Sequence, residues 1–162
     1  MRVLIDCGFY AGIATKKYEN RVDYVYAFEP NPEIEVPDFV QRKAVWIKNG
    51  KVDFQIGGRE DSASILGTSG HDEPRIIKIA CIDFSKFVAD LPDDFIICSM
   101  DIEGAEFAVL DKMLKENTID KINILDIEFH HRLMVDKTSD DARELIKRIE
   151  ERGVKVKLKV EL

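Results

Sequence analysis

The sequence contains no long hydrophobic run. No segment approaches the roughly 20 consecutive apolar residues that a membrane-spanning helix needs, so no membrane partner is expected. No secretory leader is visible: Met1-Arg2-Val3-Leu4-Ile5-Asp6 already reads as a strand, and Asp6 and Gly8 interrupt it too early. The expectation is a cytoplasmic protein. Internal repeats and low-complexity tracts are missing as well. Cysteine is scarce, and Cys7, Cys81 and Cys98 show no CxxC spacing. An odd number so placed excludes a disulfide framework and a cysteine-rich zinc site. All three lie in or beside apolar segments, which predicts buried thiols. Basic charge is short: 24 Lys and Arg stand against 31 Asp and Glu, for a net charge of −7. A protein that tracks phosphates carries a basic stripe, and no nucleic-acid partner is expected here. The one basic grouping, Lys155, Lys157 and Lys159, alternates along a terminal strand and is predicted to solvate one face of it.

What is present suits one domain spanning residues 1–162. Apolar residues make up 45% and charged residues 34% of the chain, enough for one core and a well-solvated surface. Residues 3–6 form a short apolar run ending in a carboxylate and Gly8, with a helix predicted over 12–20. Residues 24–28 form a second run, stopped by Glu29-Pro30-Asn31-Pro32, because two prolines so close end any strand or helix. Residues 44–47 and 52–56 flank Asn49-Gly50 and are predicted to pair as a hairpin. Residues 57–74 are polar, carry Gly57, Gly58, Gly67 and Gly70, and read as a long functional loop in which His71 is exposed. A strand over 76–82 and a short helix over 85–91 follow.

Residues 95–100 are almost continuously apolar, as in a central parallel strand covered on both faces. A helix over 105–116 puts Phe107, Leu110, Met113 and Leu114 on one side. A strand over 122–129 precedes an amphipathic helix over 140–152, with Leu145, Ile146 and Ile149 inward and Gly153 as its stop. Residues 154–162 close the chain as a strand. Strands alternating with helices predict an α/β, Rossmann-like, doubly wound and mostly parallel sheet with helices on both faces. In such a sheet the ligand sits at the carboxyl ends of the strands, at the topological switch point.

The residues that follow each strand are therefore the candidate site. After the first strand, Gly8 and Gly12 let the backbone approach a ligand closely, and the helix beginning there offers free N–H groups. The GxGxxG spacing of a nicotinamide enzyme is not present. After the second strand comes Glu29, at the offset of about 20 residues where an acidic side chain commonly accepts from ribose hydroxyls. A carboxylate suits vicinal hydroxyls because it is a two-pronged acceptor. Asp101 ends the most hydrophobic strand, and Glu103 and Glu106 open the next helix, where the macrodipole favours them. Gly104 between them is a poor helix former and predicts a ligand near the backbone. On the next strand, alternation places Asp126, Glu128 and His130 on one face, costly to bury unless used. His130 is the candidate general base. Asp101, Glu128 and His130 are also candidate ligands for Mg²⁺ or Mn²⁺, since oxygen-rich sites with one imidazole suit these ions.

In this order the motifs resemble those of the FkbM-type family of S-adenosylmethionine-dependent methyltransferases. The family's glycine turn is matched by Asp6, Gly8, Gly12 and Thr15, and its Glu-Pro-x-Pro turn by Phe28-Glu29-Pro30-Asn31-Pro32. Its Asp-x-Glu-Gly-x-Glu motif is matched by Asp101, Glu103, Gly104 and Glu106, its Glu-x-His strand end by Glu128 and His130, and its serine-rich loop by Ser62-Ala63-Ser64. The resemblance implies a cofactor site made by Asp6, Gly8, Tyr10, Gly12, Thr15, Glu29, Ala44, Ser62 and Asp101. Glu29 would take the ribose, and the segment around Ala44 and the Ser62 loop would take the adenine. It implies catalysis by His130, Asp101 and Glu128, with methyl transfer to a hydroxyl of a sugar, a glycan or another small acceptor.

Two departures from the family bear on this. Phe9-Tyr10 stands where the family has Ala-Asn. The chain also ends after one terminal strand where the full fold adds another, so a shortened sheet or a homodimer completing that edge is expected. The alternative reading is a non-catalytic nucleotide-binding module or an inactive homologue.

Overall fold

The computed structural model describes residues 1–56, 64–65, 75–92 and 94–162. The central strands are the apolar runs of the sequence. They are β1 (Arg2–Cys7), β2 (Tyr24–Phe28), β7 (Phe95–Met100) and β8 (Ile122–Ile127). With β3 (Val40–Gln41) and β9 (Lys155–Leu158) they form a six-stranded sheet of order β3-β2-β1-β7-β8-β9, and every pair in it is parallel. β1 is flanked by β2 on one side and β7 on the other, so the chain direction across the sheet reverses there. That is the switch point. The fold is α/β and Rossmann-like, as the alternation predicts.

Alternation within each strand divides the core in two. Val3, Ile5 and Cys7 of β1, Cys98 and Met100 of β7, and Leu125 and Ile127 of β8 belong to one large buried cluster with Leu110, Met113, Leu145 and Ile149. Those partners come from α3 (Glu106–Lys115) and α4 (Ser139–Glu150), and α2 (Phe84–Asp90) adds Val88. Leu4 and Ile97 face the other way, onto Tyr18 of the six-residue helix α1 (Ile13–Tyr18). α1 has Gly12 as its cap and no side-chain cap bond. Carboxylates of the sheet secure it instead. Asp6 Oδ2 accepts from the Thr15 amide at 3.1 Å and its hydroxyl at 2.7 Å. Asp126 Oδ2 accepts from Lys17 Nζ at 2.6 Å and Tyr18 Oη at 2.8 Å. In contrast, α4 starts on a full capping box between Thr138 and Asp141.

The predicted hairpin is not formed. β4 (Ala44–Trp46) and β5 (Gly50–Ile56) lie on opposite edges of β6 (Arg75–Asp83), in a separate sheet of order β4-β6-β5. β4 pairs with β6 in parallel and β5 pairs with it antiparallel. Asn49 spends its side-chain oxygen on the Asp83 amide, 3.0 Å away, and Gly50 already belongs to β5. The Asn-Gly pair thus starts a strand on the far edge of β6 rather than closing a two-residue turn. β3, only two residues long, lies where no strand was expected. The terminal strand is also shorter than residues 154–162. Among the described residues, no helix is long and apolar enough to cross a membrane.

Candidate active site

The carboxyl ends of β1, β2, β7 and β8 open onto one cleft of about 270 Å³. Gly8, Tyr10, Glu29, Asn31, Ala44, Asp101, Glu103, Glu128 and His130 are among the residues that line it. The close approach of β1 and β7 requires Gly8. Its φ is +84°, and a Cβ there would stand 1.9 Å from the Asp101 carbonyl oxygen. The two strand ends are also tied by the Asp101 amide, which donates to the Cys7 carbonyl at 3.0 Å.

Glu29 is part of the cleft wall. It is buried, and its two oxygens each take a backbone amide: Oε2 from Tyr10 at 2.9 Å and Oε1 from Asn31 at 2.8 Å. Burial pushes its carboxyl above the ordinary range, while those two amides and Arg42 oppose the shift. Arg42 also donates to the carbonyls of Asn31 and Ile34, which braces the Glu-Pro-x-Pro turn. Tyr10 sits at a φ of 44°, the left-handed region that is uncommon for a bulky residue. That conformation turns its amide onto Glu29.

A second polar group on the same wall surrounds His130. His130 Nδ1 stands 2.9 Å from Oε1 of Glu106, a residue with no exposed surface. Glu106 in turn accepts from the Ile102 amide at 3.0 Å and the Gly104 amide at 2.8 Å. His130 Nε2 faces Asp101, Glu103 and Glu128 at 3.6, 3.7 and 3.7 Å. Glu103 reaches this place through a φ of 55°. Two of the three described non-glycine residues with positive φ, Tyr10 and Glu103, are thus in the cleft wall, where local strain is commonly tied to function. Burial alone would lower the His130 pKa. The Glu106 hydrogen bond and the charges of Glu106, Glu103 and Asp101 outweigh it and hold the imidazole at about 9. Burial pushes Glu103 up to about 7 against the pull of His130. Lys159 Nζ lies 3.5 Å from Asp101.

Most of the sequence-predicted residues converge. Gly8, Tyr10, Glu29, Ala44, Asp101, Glu128 and His130 all line the cleft. Asp6, Gly12 and Thr15 stand behind its wall, with the Thr15 amide already taken by Asp6. Ser62, and His71 with most of the predicted long loop, lie outside the described residues. Ser64 is described and donates to the Glu103 carbonyl at 2.6 Å. Asp126 does not join Glu128 and His130. β8 ends at Ile127, so strand alternation no longer applies beyond it, and Asp126 faces α1 instead. Lys159 does not share the solvating role expected of it, because it reaches Asp101. The sequence reading placed Glu106 in a family motif but gave it no role in the site. Its pairing with His130 joins two separate elements and leaves no local pattern to read.

A parallel sheet with a glycine turn after β1, an acid after β2 and a polar cluster after β7 and β8 defines the Rossmann-like α/β class, with its cleft at the switch point. A family model described as the methyltransferase FkbM domain matches residues 6–156, and the chain belongs to that methyltransferase family. No curated protein and no solved structure matches it.

Proposed function

We propose that the chain is an S-adenosylmethionine-dependent O-methyltransferase acting on a hydroxyl of a sugar, a glycan or another small hydroxylated acceptor. The observation that carries this reading is the cleft's polarity. A buried, amide-held carboxylate, Glu29, and a cluster of Asp101, Glu128 and His130 line the same cleft, at the switch point.

The wall around Glu29 suits a nucleoside. Each carboxylate oxygen accepts one backbone N–H and keeps lone-pair capacity for one of two vicinal ribose hydroxyls. Phe28, Ile34, Ala44, Val45 and Ile65 supply apolar wall beside it, suited to a purine. S-adenosylmethionine brings a methyl group on a sulfonium, whose positive charge makes it a good leaving group. The chain's own task is alignment and proton removal. Asp101, Glu128 and His130 orient the acceptor hydroxyl, and a carboxylate, Asp101 or Glu128, receives its proton as the oxygen–carbon bond forms, because the His130 imidazole is already protonated at neutral pH. The electron pair of the breaking carbon–sulfur bond stays with sulfur.

Calorimetric titration with S-adenosylmethionine and S-adenosylhomocysteine tests the donor site. The intact chain is expected to bind both. Glu29→Ala should weaken binding at least about tenfold, since a hydrogen bond to a charged group contributes roughly 1.5–3 kcal/mol. No binding to the intact chain, or equal binding by the variant, would overturn the donor assignment. Binding without methyl transfer to any of a panel of hydroxylated acceptors would favour the non-catalytic alternative.

A further inference from the structure

We propose that the polar cluster around His130 is a divalent-cation site, with Asp101, Glu128 and His130 as ligands and Glu106 as the group that aims the imidazole. The distances around His130 Nε2 are the first support. At 3.6–3.7 Å from three carboxylate oxygens, it is beyond hydrogen-bond reach of all of them. Yet the side chain is only 13% exposed. Ligand atoms of Asp101, Glu128 and His130 all lie within 4.8 Å of one another. Around a six-coordinate ion with bonds of about 2.1 Å, neighbouring ligand atoms stand about 3 Å apart and opposite ones about 4.2 Å. The described cluster is slightly wider than that, and a contraction of a few tenths of an ångström closes it.

The other ring nitrogen gives the second support. Nδ1 bonds Glu106, which is fully buried and fixed by two backbone amides. A carboxylate on one imidazole nitrogen fixes the ring so that the other nitrogen faces the cluster, where a bound ion would displace its proton. That is the outer-shell arrangement typical of metal-bound histidine. The Glu106 ion pair engages Nδ1 alone and leaves Nε2 facing three carboxylates, none within hydrogen-bond distance.

Charge is the third. Asp101, Glu103, Glu106 and Glu128 meet only two cationic side chains among the described residues, His130 and the more distant Lys159. Two carboxylates with one imidazole and no thiolate favour a hard ion such as Mg²⁺ or Mn²⁺. The ion's role rests on the methyl-transfer reading: open positions on it would hold the acceptor's oxygen and lower its pKa.

The test uses the full chain, stripped of metal, with Mn²⁺ alone as the probe and free Mn²⁺ followed by its paramagnetic resonance signal. One saturable site per chain is expected, displaced by Mg²⁺. Glu128→Gln and His130→Ala should abolish it, and Glu106→Gln should weaken it about 10–100-fold. Circular dichroism and the melting transition check that each variant is folded. Should His130→Ala or Glu106→Gln fail to fold, the decision falls to Glu128→Gln, whose side chain is 31% exposed. Absence of saturable binding, or binding that Glu128→Gln leaves unchanged, overturns the proposal. Donor binding is measured without metal, so the two readings fail separately. Mn²⁺ binding without S-adenosylmethionine binding sinks the donor assignment alone, and the reverse result sinks only the cation site.

Discussion

Asp6 shows what one residue contributes and costs. Its carboxylate is 2% exposed and holds α1 through Thr15. Burial raises its pKa to about 6, with Thr15 and Lys159 opposing and Asp101 adding to the rise. In the unfolded chain the same group titrates near 4. Between those values the folded state binds more protons than the unfolded one, so stability falls as pH rises through the window and is level above it. An amide can still accept both Thr15 bonds through one oxygen. Asp6→Asn is therefore expected to be more stable than the parent at pH 7.5, by up to about 3 kcal/mol, and no more stable below pH 4. Urea unfolding across that range checks this, and parallel curves for the two proteins would contradict it. Gly8 and Glu29, which line the cleft, were legible in the sequence because each follows an apolar run at a spacing that chemistry restricts, whereas Asp6, expected at the cofactor, is spent on Thr15 of α1. Glu106 was not, since a carboxylate at a helix start has an ordinary explanation in the macrodipole. Asp126 misled for another reason: alternation is a property of strands, and β8 stops one residue beyond it.

The elements differ in how they are held. α2 begins on Asp83, whose carboxylate accepts from the Lys86 amide at 3.2 Å and also pairs with Lys112 of α3. One side chain thus caps a helix at the end of β6 and joins it to a second helix. Asp83→Ala is expected to destabilise the chain by about 1–2 kcal/mol, the usual range for a lost cap. Methyl-donor binding, measured well below the melting temperature, should hardly change. A loss of donor affinity with unchanged melting would show that the contact acts on the cleft instead. Elements with their own period or cap were readable: α3, α4 and the apolar strands. The small sheet was not. Its order depends on β6, which arrives some 20 residues after β5 in the chain, and a local turn signal carries no information about a strand that has yet to arrive.

At the scale of the molecule, the switch point beside β1 gathers the candidate residues on one cleft, and the alternation of strands and helices was enough to foresee the parallel sheet that does so. β9 leaves one edge of the large sheet open, and Lys155 and Lys157 along it are the kind of charge that discourages edge pairing. A homodimer built through β9 would bring two such edges together. The buried cysteines have a further consequence. Cys7 and Cys98 lie inside the large sheet and Cys81 inside the small one, none more than 4% exposed. Burial also pushes the thiols of Cys7 and Cys81 above their ordinary pKa, and the thiol itself is a poor nucleophile. The folded chain should therefore resist alkylation, and each thiol should react only when its sheet opens. Timed alkylation followed by peptide mass analysis would read the two sheets separately. Equal rates at all three positions would mean that the sheets open together, and early labelling of Cys81 would mean that the small sheet can part from the large one while the latter stays folded. The three thiols thus act as native reporters of how the fold comes apart, with no label to be engineered.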